Sequence, residues 1–181
     1  ELFCCATDCS FYNEAARDFN DDIGAWNTEG VTDMNHMFWT ARSFDKDIGG
    51  WTVDSVTSMW GMFADASEFD QDISGWRVDK VTTMKAMFYH AQAFNKPLGS
   101  WRVDNVVDMA DMFTNANSFN QDIGNWQVDK VTNMDAMFRD ASAFDQDLGW
   151  CVADDVDLTT HAFYNTACTS RWCGVTQGSC P

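Results

Sequence analysis

The stretch Phe119–Ala141 reads F-N-Q-D-I-G-N-W-Q-V-D-K-V-T-N-M-D-A-M-F-R-D-A, and the chain repeats it with a period of 25 residues. With Phe119 as position 1, the register places Ile or Leu at position 5, Trp at 8, Val at 13, Met at 16 and 19, Phe at 20 and Ala at 23. Five regular units and a degenerate sixth, with Cys151 at the tryptophan position, fill residues 19–168. We number the units 1 to 6; they begin at Phe19, Phe44, Phe69, Phe94, Phe119 and Phe144.

The spacing of apolar residues predicts the local structure of each unit. Positions 13, 16, 19, 20 and 23 are apolar, which is typical of a helical or 3-10 turn at Met-x-x-Met-Phe-x-x-Ala. The stretch F-N-Q-D-I-G ends at glycine and predicts a short strand closed by a turn. A single unit buries too little apolar surface to fold alone, so neighbouring units are expected to share their faces and backbone hydrogen bonds.

The expected fold is therefore a solenoid, because a period of roughly 20–29 residues is typical of leucine-rich-repeat-like proteins. It is a stack of six 25-residue coils, residues 19–168, with short parallel strands and short helical or 3-10 turns. Residues 1–18 and 169–181 depart from the repeat and are expected to form N-terminal and C-terminal caps, since terminal repeats of such proteins are atypical.

The block Phe119–Ala141 resembles the repeat of BspA-like leucine-rich-repeat surface proteins, the repeat of mycoplasma surface lipoproteins and of secreted proteins from marine microbes and protists. The resemblance covers residues 19–168. It implies a secreted or surface-displayed solenoid, with adhesion or ligand binding proposed for some members. It implies no catalytic residues, because the positions that the family shares are core positions.

Composition and charge exclude several classes of protein. The chain has 181 residues, with 28 acidic residues against 11 Lys and Arg, a formal charge of −17. A nucleic-acid binder needs a basic face to neutralise phosphates, and a polybasic membrane anchor needs clustered Lys or Arg. No apolar run approaches the roughly 18 residues of a membrane span, so we expect no membrane insertion. The charge is uneven, because residues 69–118 carry five basic and six acidic residues.

The seven cysteines all lie outside the five regular units and predict disulfide-stapled caps, which places the protein outside the cytosol, secreted or at a cell surface. Among the four C-terminal cysteines, the pairs Cys151–Cys168 and Cys173–Cys180 are favoured, since each closes a modest loop. At the N-terminus, Cys9 is expected to pair with Cys4 or Cys5. The other of Cys4 and Cys5 would be left for an intermolecular disulfide or for a partner outside this segment. A zinc site with His161 is disfavoured, because the chain has no C-x-x-C pair.

Acidic residues form two rows, at position 11 in all six units and at position 4 in five of them. One interpretation is that each carboxylate caps backbone N–H groups in a turn. The other is calcium bound between coils, which the triplets such as Asp45-Lys46-Asp47-Ile48-Gly49 favour, although the later bidentate acid of a calcium loop is missing. No cofactor is required, and calcium is the cation considered. The candidate ligands are Asp45, Asp47, Asp70, Asp72, Asp122, Asp145 and Asp147.

Candidate partner-binding residues lie in two places. Arg77 and Arg102 share position 9 and, with Lys80, could clamp an anionic or planar group; the alternative is charge relief beside neighbouring aspartates. Trp39 and Trp60 lie off the core positions and are expected to be exposed contacts, as are Trp150 and Trp172. The tryptophans at position 8 are expected to be core, with a carbohydrate-binding strip as the alternative.

The function expected from these features is a non-enzymatic adhesion or ligand-binding module for a protein or glycan. The three histidines do not lie in adjacent coils, so spacing supports no Ser-His-Asp arrangement. A calcium-binding structural matrix component is one alternative. An ice-binding protein is another, because position 14 forms a row of threonines, although β-branched residues also suit a strand.

Overall fold

The computed structural model describes residues 16–156, 158 and 161–179. Within this part, regular secondary structure consists of two short strands, β1 (Cys151–Val152) and β2 (Thr176–Gln177), and one 3-10 helix, Arg171–Gly174. Strands β1 and β2 pair in parallel, with Cys151 opposite Thr176. The predictions for the first 15 residues, including the pairing of Cys9 with Cys4 or Cys5, lie outside the described residues.

Successive units are joined at equivalent positions by backbone contacts. Isolated parallel bridges link position 15 of five consecutive units, at Asp33, Ser58, Thr83, Asp108 and Asn133. At position 20, the Phe38 amide donates to the Met62 carbonyl at 2.8 Å. At position 14, the Thr57 amide donates in the opposite direction, to the Thr32 carbonyl at 2.8 Å. Each unit therefore runs parallel to the next, and equivalent residues of the two units lie side by side.

The Met-x-x-Met-Phe-x-x-Ala segment is a run of turns rather than a helix. In unit 1, the Met37 amide bonds to the Met34 carbonyl and the Trp39 amide to the His36 carbonyl, each three residues back. The amides of His36 and Phe38, which alternate with these donors along the chain, donate to carbonyl groups of unit 2. Residues at positions 18 and 22 adopt left-handed conformations, for example His36 with φ 54° and Thr40 with φ 64°. The left-handed residues prevent a continuous helix. Alternate amides therefore donate hydrogen bonds within the unit and to the neighbouring unit.

The predicted strand at F-N-Q-D-I-G is not present, because side chains make the contacts between units there. The Asp45 amide donates to the Asn20 side-chain oxygen at 3.0 Å, and the Asp70 amide donates to Asp45 Oδ1 at 2.9 Å. Side-chain oxygens at position 2 thus take the place that backbone carbonyls would have in a strand ladder.

The core consists of the copied apolar rows. Phenylalanines of positions 1 and 20 form two adjacent columns. Ring centroids are 4.1 Å apart between the columns for Phe38–Phe44, and 5.4 Å apart along one column for Phe38–Phe63. Tryptophans at position 8 of units 2 to 5 are buried, and each indole donates to the position 5 carbonyl of the preceding unit, as Trp51 does to Ile23 at 3.2 Å. The tryptophan row is therefore core, as predicted. Its first member is the exception, since Trp26 is 46% exposed.

Trp150, not Cys151, occupies the tryptophan position of unit 6. It is 3% exposed, and its ring lies 6.2 Å from that of Trp126. Unit 6 has one residue fewer than the others between position 5 and its tryptophan, and this deletion carries Cys151 into strand β1. The prediction that Trp150 is an exposed contact is wrong. Its buried indole Nε1 has no hydrogen-bond partner among the described residues, unlike those of the four buried tryptophans before it.

The C-terminal disulfide also differs from the prediction. Cys168 bonds to Cys173, with their Cα atoms 5.3 Å apart, so the pairs Cys151–Cys168 and Cys173–Cys180 are wrong. The physical reason is local, because left-handed Trp172 (φ 54°) and Cys173 (φ 51°) fold the chain back toward Cys168. Cys151 is disulfide-bonded as well. The Cys173 carbonyl accepts the Leu148 amide at 2.8 Å, which holds this segment against unit 6.

Candidate functional site

Aspartates at position 4 cap turns. Asp47 Oδ1 accepts the Gly49 amide at 2.9 Å, and Asp122 Oδ1 accepts the Gly124 amide at 3.0 Å. Hydrogen bonds from Ser74 lower the pKa of the Asp72 carboxyl in the same way. A Cβ atom at Gly49 would lie 2.7 Å from the carbonyl oxygen of Asp72 in the next unit, so a side chain there would require the backbone to shift. The turn-capping interpretation of this row is confirmed.

Two other predicted calcium ligands, Asp45 and Asp70, are engaged between units. Asp45 Oδ1 accepts the Gln71 side-chain amide at 2.7 Å in addition to the backbone bond described above. Asp70 accepts the Asn95 amide at 2.9 Å and contacts Lys96 Nζ at 2.6 Å. Among the described residues, no three or more His, Cys, Asp or Glu side chains form a group that could hold a metal ion. The structure thus uses Asp45, Asp47, Asp70, Asp72 and Asp122 as hydrogen-bond acceptors within the fold.

The two arginines at position 9 lie in a line of alternating charge. Arg77 is 3.9 Å from Asp54 and 3.5 Å from Asp79, and Arg102 is 3.7 Å from Asp79 and 3.0 Å from Asp104. Both arginine side chains are 73% exposed, so each pair contributes little to stability. The structure therefore supports charge relief for these arginines. Lys80, the third residue of the predicted clamp, is exposed and has no ion pair with a described residue.

The threonine row at position 14 also bonds along the repeat. Thr57 Oγ1 donates to the Thr32 carbonyl at 3.1 Å, and Thr82 Oγ1 donates to the Thr57 carbonyl at 3.1 Å. Val107 interrupts the row and exposes an apolar side chain. These hydroxyl protons are therefore directed at the neighbouring unit.

Trp39 and Trp60, the two tryptophans predicted as surface contacts, flank His36. The centroid of the His36 ring lies 5.6 Å from that of Trp39 and 4.6 Å from that of Trp60, with the rings tilted. Trp60 is 43% exposed, and the other two side chains are half-buried. We call these three residues the Trp–His cluster. Sequence reasoning identified both tryptophans but missed the histidine that lies between them.

Two further departures from the repeat build this cluster. Gly61 has a left-handed φ of 59°, and a Cβ atom there would lie 2.6 Å from His36 Cδ2. Glycine at position 18 of unit 2 thus leaves room for the imidazole of unit 1. Asn35 Oδ1 accepts the Trp60 amide at 2.8 Å, and the Asn35 amide donates to Asp33 Oδ1 at 2.8 Å. The backbone at Trp60 is therefore fixed by the preceding unit.

The electrostatics of the cluster are those of a neutral imidazole beside a carboxylate. Burial lowers the pKa of His36, and the charge of Asp33 partly opposes this effect. The ring is therefore mostly uncharged near neutral pH, while Asp33 is exposed. A partly exposed indole beside an acidic group can bind a ligand.

A second titratable group with a shifted pKa, Asp111, lies at position 18 of unit 4, the position that His36 has in unit 1. Burial raises the pKa of the Asp111 carboxyl, and a hydrogen bond with Thr114 partly opposes this rise. The negative charge of Asp135 in the next unit also raises it. His90 lies 3.0 Å from Asp65, and His161 lies 4.0 Å from Asp135, so these two histidines each face a carboxylate of the preceding unit.

Units of one length that bond to each other at equivalent positions define a repeat protein. A model of the family described as "Mycoplasma protein of unknown function, DUF285" matches residues 7–107 and again residues 77–172. The chain belongs to this family, which confirms the mycoplasma part of the sequence resemblance. No curated protein and no solved structure matches the chain. In the part of the chain that the structure describes, no helix has the length and apolar character needed to cross a membrane.

Proposed function

We propose that this chain is a solenoid of the BspA-like leucine-rich-repeat kind, secreted or displayed at a cell surface. It acts as a non-enzymatic binding or adhesion module for a protein or glycan ligand. Its contact site is the Trp–His cluster. The observation that carries the proposal is the exposure of Trp60, 43%, in a chain whose regular aromatic rows are almost wholly buried.

Energetics favour the Trp–His cluster as the contact site over the polar rows. The aspartates, threonines and arginines of those rows already have partners within the fold, so a ligand would have to compete for them. Tryptophan is enriched among the residues that carry most of the binding energy of interfaces. Because bonds between units hold the backbone at Trp60 and His36, little backbone entropy remains to be lost on binding.

Two observations support the solenoid and its location outside the cytosol. Hydrogen bonds between residues one repeat apart recur from unit 1 to unit 6, as expected if each coil is stabilised by its neighbours. The Cys168–Cys173 disulfide and the bonded state of Cys151 are typical of oxidising compartments.

The test compares wild type with Trp60→Ala on a glycan array and on a panel of acidic, neutral and basic peptides. We expect at least one ligand to lose roughly tenfold or more in affinity in the variant, the level of an interface hot spot. Val107→Ala is the matched control, because Val107 is 42% exposed and lies outside the cluster. Equal binding by wild type and Trp60→Ala throughout both panels would refute the proposal.

A further inference from the structure

We infer that the Trp–His cluster binds a cationic side chain, lysine or arginine, on a basic segment of a partner protein. The inference rests on the proposed function and specifies its ligand. It combines two independent features of the molecule, the aromatic geometry of the cluster and the distribution of charge around it.

The charge around the cluster favours a cation over an anion. Units 1 and 2, residues 19–68, carry nine acidic and two basic residues, a formal charge of −7. The next two units, residues 69–118, have a formal charge of only −1. The cluster therefore lies in the more acidic of the two regions. A field of this sign attracts a basic partner and raises its rate of association.

The aromatic geometry supplies the contact itself. Indole faces attract ammonium and guanidinium groups through the ring quadrupole, and tryptophan does so best of the aromatic residues. Trp60 presents such a face, and Asp33 offers a carboxylate near the same imidazole. Because the His36 ring is mostly uncharged near neutral pH, it does not repel a cation that lies against the exposed part of the Trp60 indole.

Charge also separates this ligand from a glycan. A neutral sugar ring is not attracted by the long-range field of nine acidic side chains, and an acidic polysaccharide is repelled by it. The exposed arginines Arg77 and Arg102, which could attract an acidic glycan, lie in units 3 and 4 and are paired with aspartates. A basic protein segment is the ligand class that both the indoles and the charge favour.

Isothermal titration of the full chain tests the inference. The probes are a ten-residue peptide of alternating arginine and glycine and the same peptide with citrulline, its neutral isostere, in place of arginine. We expect the arginine peptide to bind and the citrulline peptide to bind far more weakly. Trp60→Ala should weaken the arginine peptide about 5- to 30-fold, and Trp60→Phe should retain part of the affinity.

Tyr164→Ala is the matched control. Tyr164 is an exposed aromatic residue, 59%, at the position of unit 6 that corresponds to Trp39 in unit 1, and we expect its removal to leave affinity unchanged. Thermal melts of each variant show that the fold is retained. Repeating the titration at about 0.15 M and 0.5 M salt separates the aromatic contact, which persists, from the screened long-range attraction.

The outcomes are distinguishable. Equal binding of the arginine peptide by wild type and Trp60→Ala overturns the inference, because the acidic field alone then explains binding. A glycan that binds in a Trp60-dependent manner, without binding of the arginine peptide, overturns the inference but leaves the proposed function intact. If no ligand of either class depends on Trp60, both the inference and the proposed function fail.

Discussion

Replacing tryptophan by phenylalanine at two equivalent core positions should give very different losses of stability. Trp101 is 3% exposed, and its indole Nε1 donates to the Ile73 carbonyl at 3.1 Å. Trp150 is also 3% exposed, but its buried Nε1 has no partner in the part of the chain that the structure describes. Both substitutions, Trp101→Phe and Trp150→Phe, remove the same atoms from a stacked aromatic row. The loss of packing is therefore shared, and the fate of the N–H group separates the two variants.

The magnitude follows from the hydrogen-bond balance. Trp101→Phe loses a buried hydrogen bond, which contributes about 0.5–1.5 kcal/mol net. Trp150→Phe removes an unsatisfied buried donor, whose penalty is about 1–3 kcal/mol. The free energy of unfolding should thus be roughly 1.5–4.5 kcal/mol lower for Trp101→Phe than for Trp150→Phe.

Urea denaturation measures this difference, provided that the m-values of the two variants agree, because repeat proteins can lose two-state behaviour. A wild-type titration sets the reference for both. Equal destabilisation by the two substitutions would refute the reasoning, because it would mean that the Trp150 indole gains as much from its surroundings as the Trp101 indole does.

Two other predictions concern the turn segment. Gly61→Ala should destabilise the fold by about 1–2 kcal/mol and alter the near-ultraviolet circular dichroism of the Trp–His cluster, because the new methyl group meets His36 at a left-handed position. Ala86→Gly, at the same position of the next unit, should be neutral or stabilising. The reverse ranking of the two variants in urea denaturation would contradict the argument. Asp111→Asn should raise the melting temperature at pH 7 but not at pH 3. The reason is that the pKa of Asp111 is raised in the folded protein, so stability that is present below its usual pKa of 3.8 is lost as pH rises. Asp129→Asn, at an exposed site, is the control, and equal gains by Asp111→Asn at both pH values would exclude titration as the cause.

The sequence predicted the core well because core side chains depend only on the period. The buried phenylalanine, methionine and tryptophan rows follow directly from counting 25 residues. The same counting failed at Trp150, since a one-residue deletion shifts the register within unit 6. The predicted disulfide pairing was wrong because it was based on loop length. The pairing depends instead on the path of the backbone, here the left-handed turn at Cys173.

The turns and the cluster were harder to predict for a different reason. Position 18 is left-handed in five consecutive units, yet its occupants include His36, Gly61, Ala86 and Asp111, of which only glycine signals such a conformation. The Trp–His cluster depends on a contact between residues of two units, so neither unit alone shows it. The one readable signal was Gly61, the single glycine at position 18, directly after an off-pattern tryptophan.

Equivalent hydrogen bonds between units join residues at a constant separation along the chain, and this has an evolutionary consequence. The Met34 amide bonds to the Ser58 carbonyl, and the Met59 amide bonds to the Thr83 carbonyl, across the same interval of chain. Duplication or loss of a whole 25-residue unit by recombination therefore allows the same backbone bonds at the new junction, whereas loss of a single codon shifts the register. The gene can change length in steps of one unit while a local surface such as that of Trp60 diverges independently.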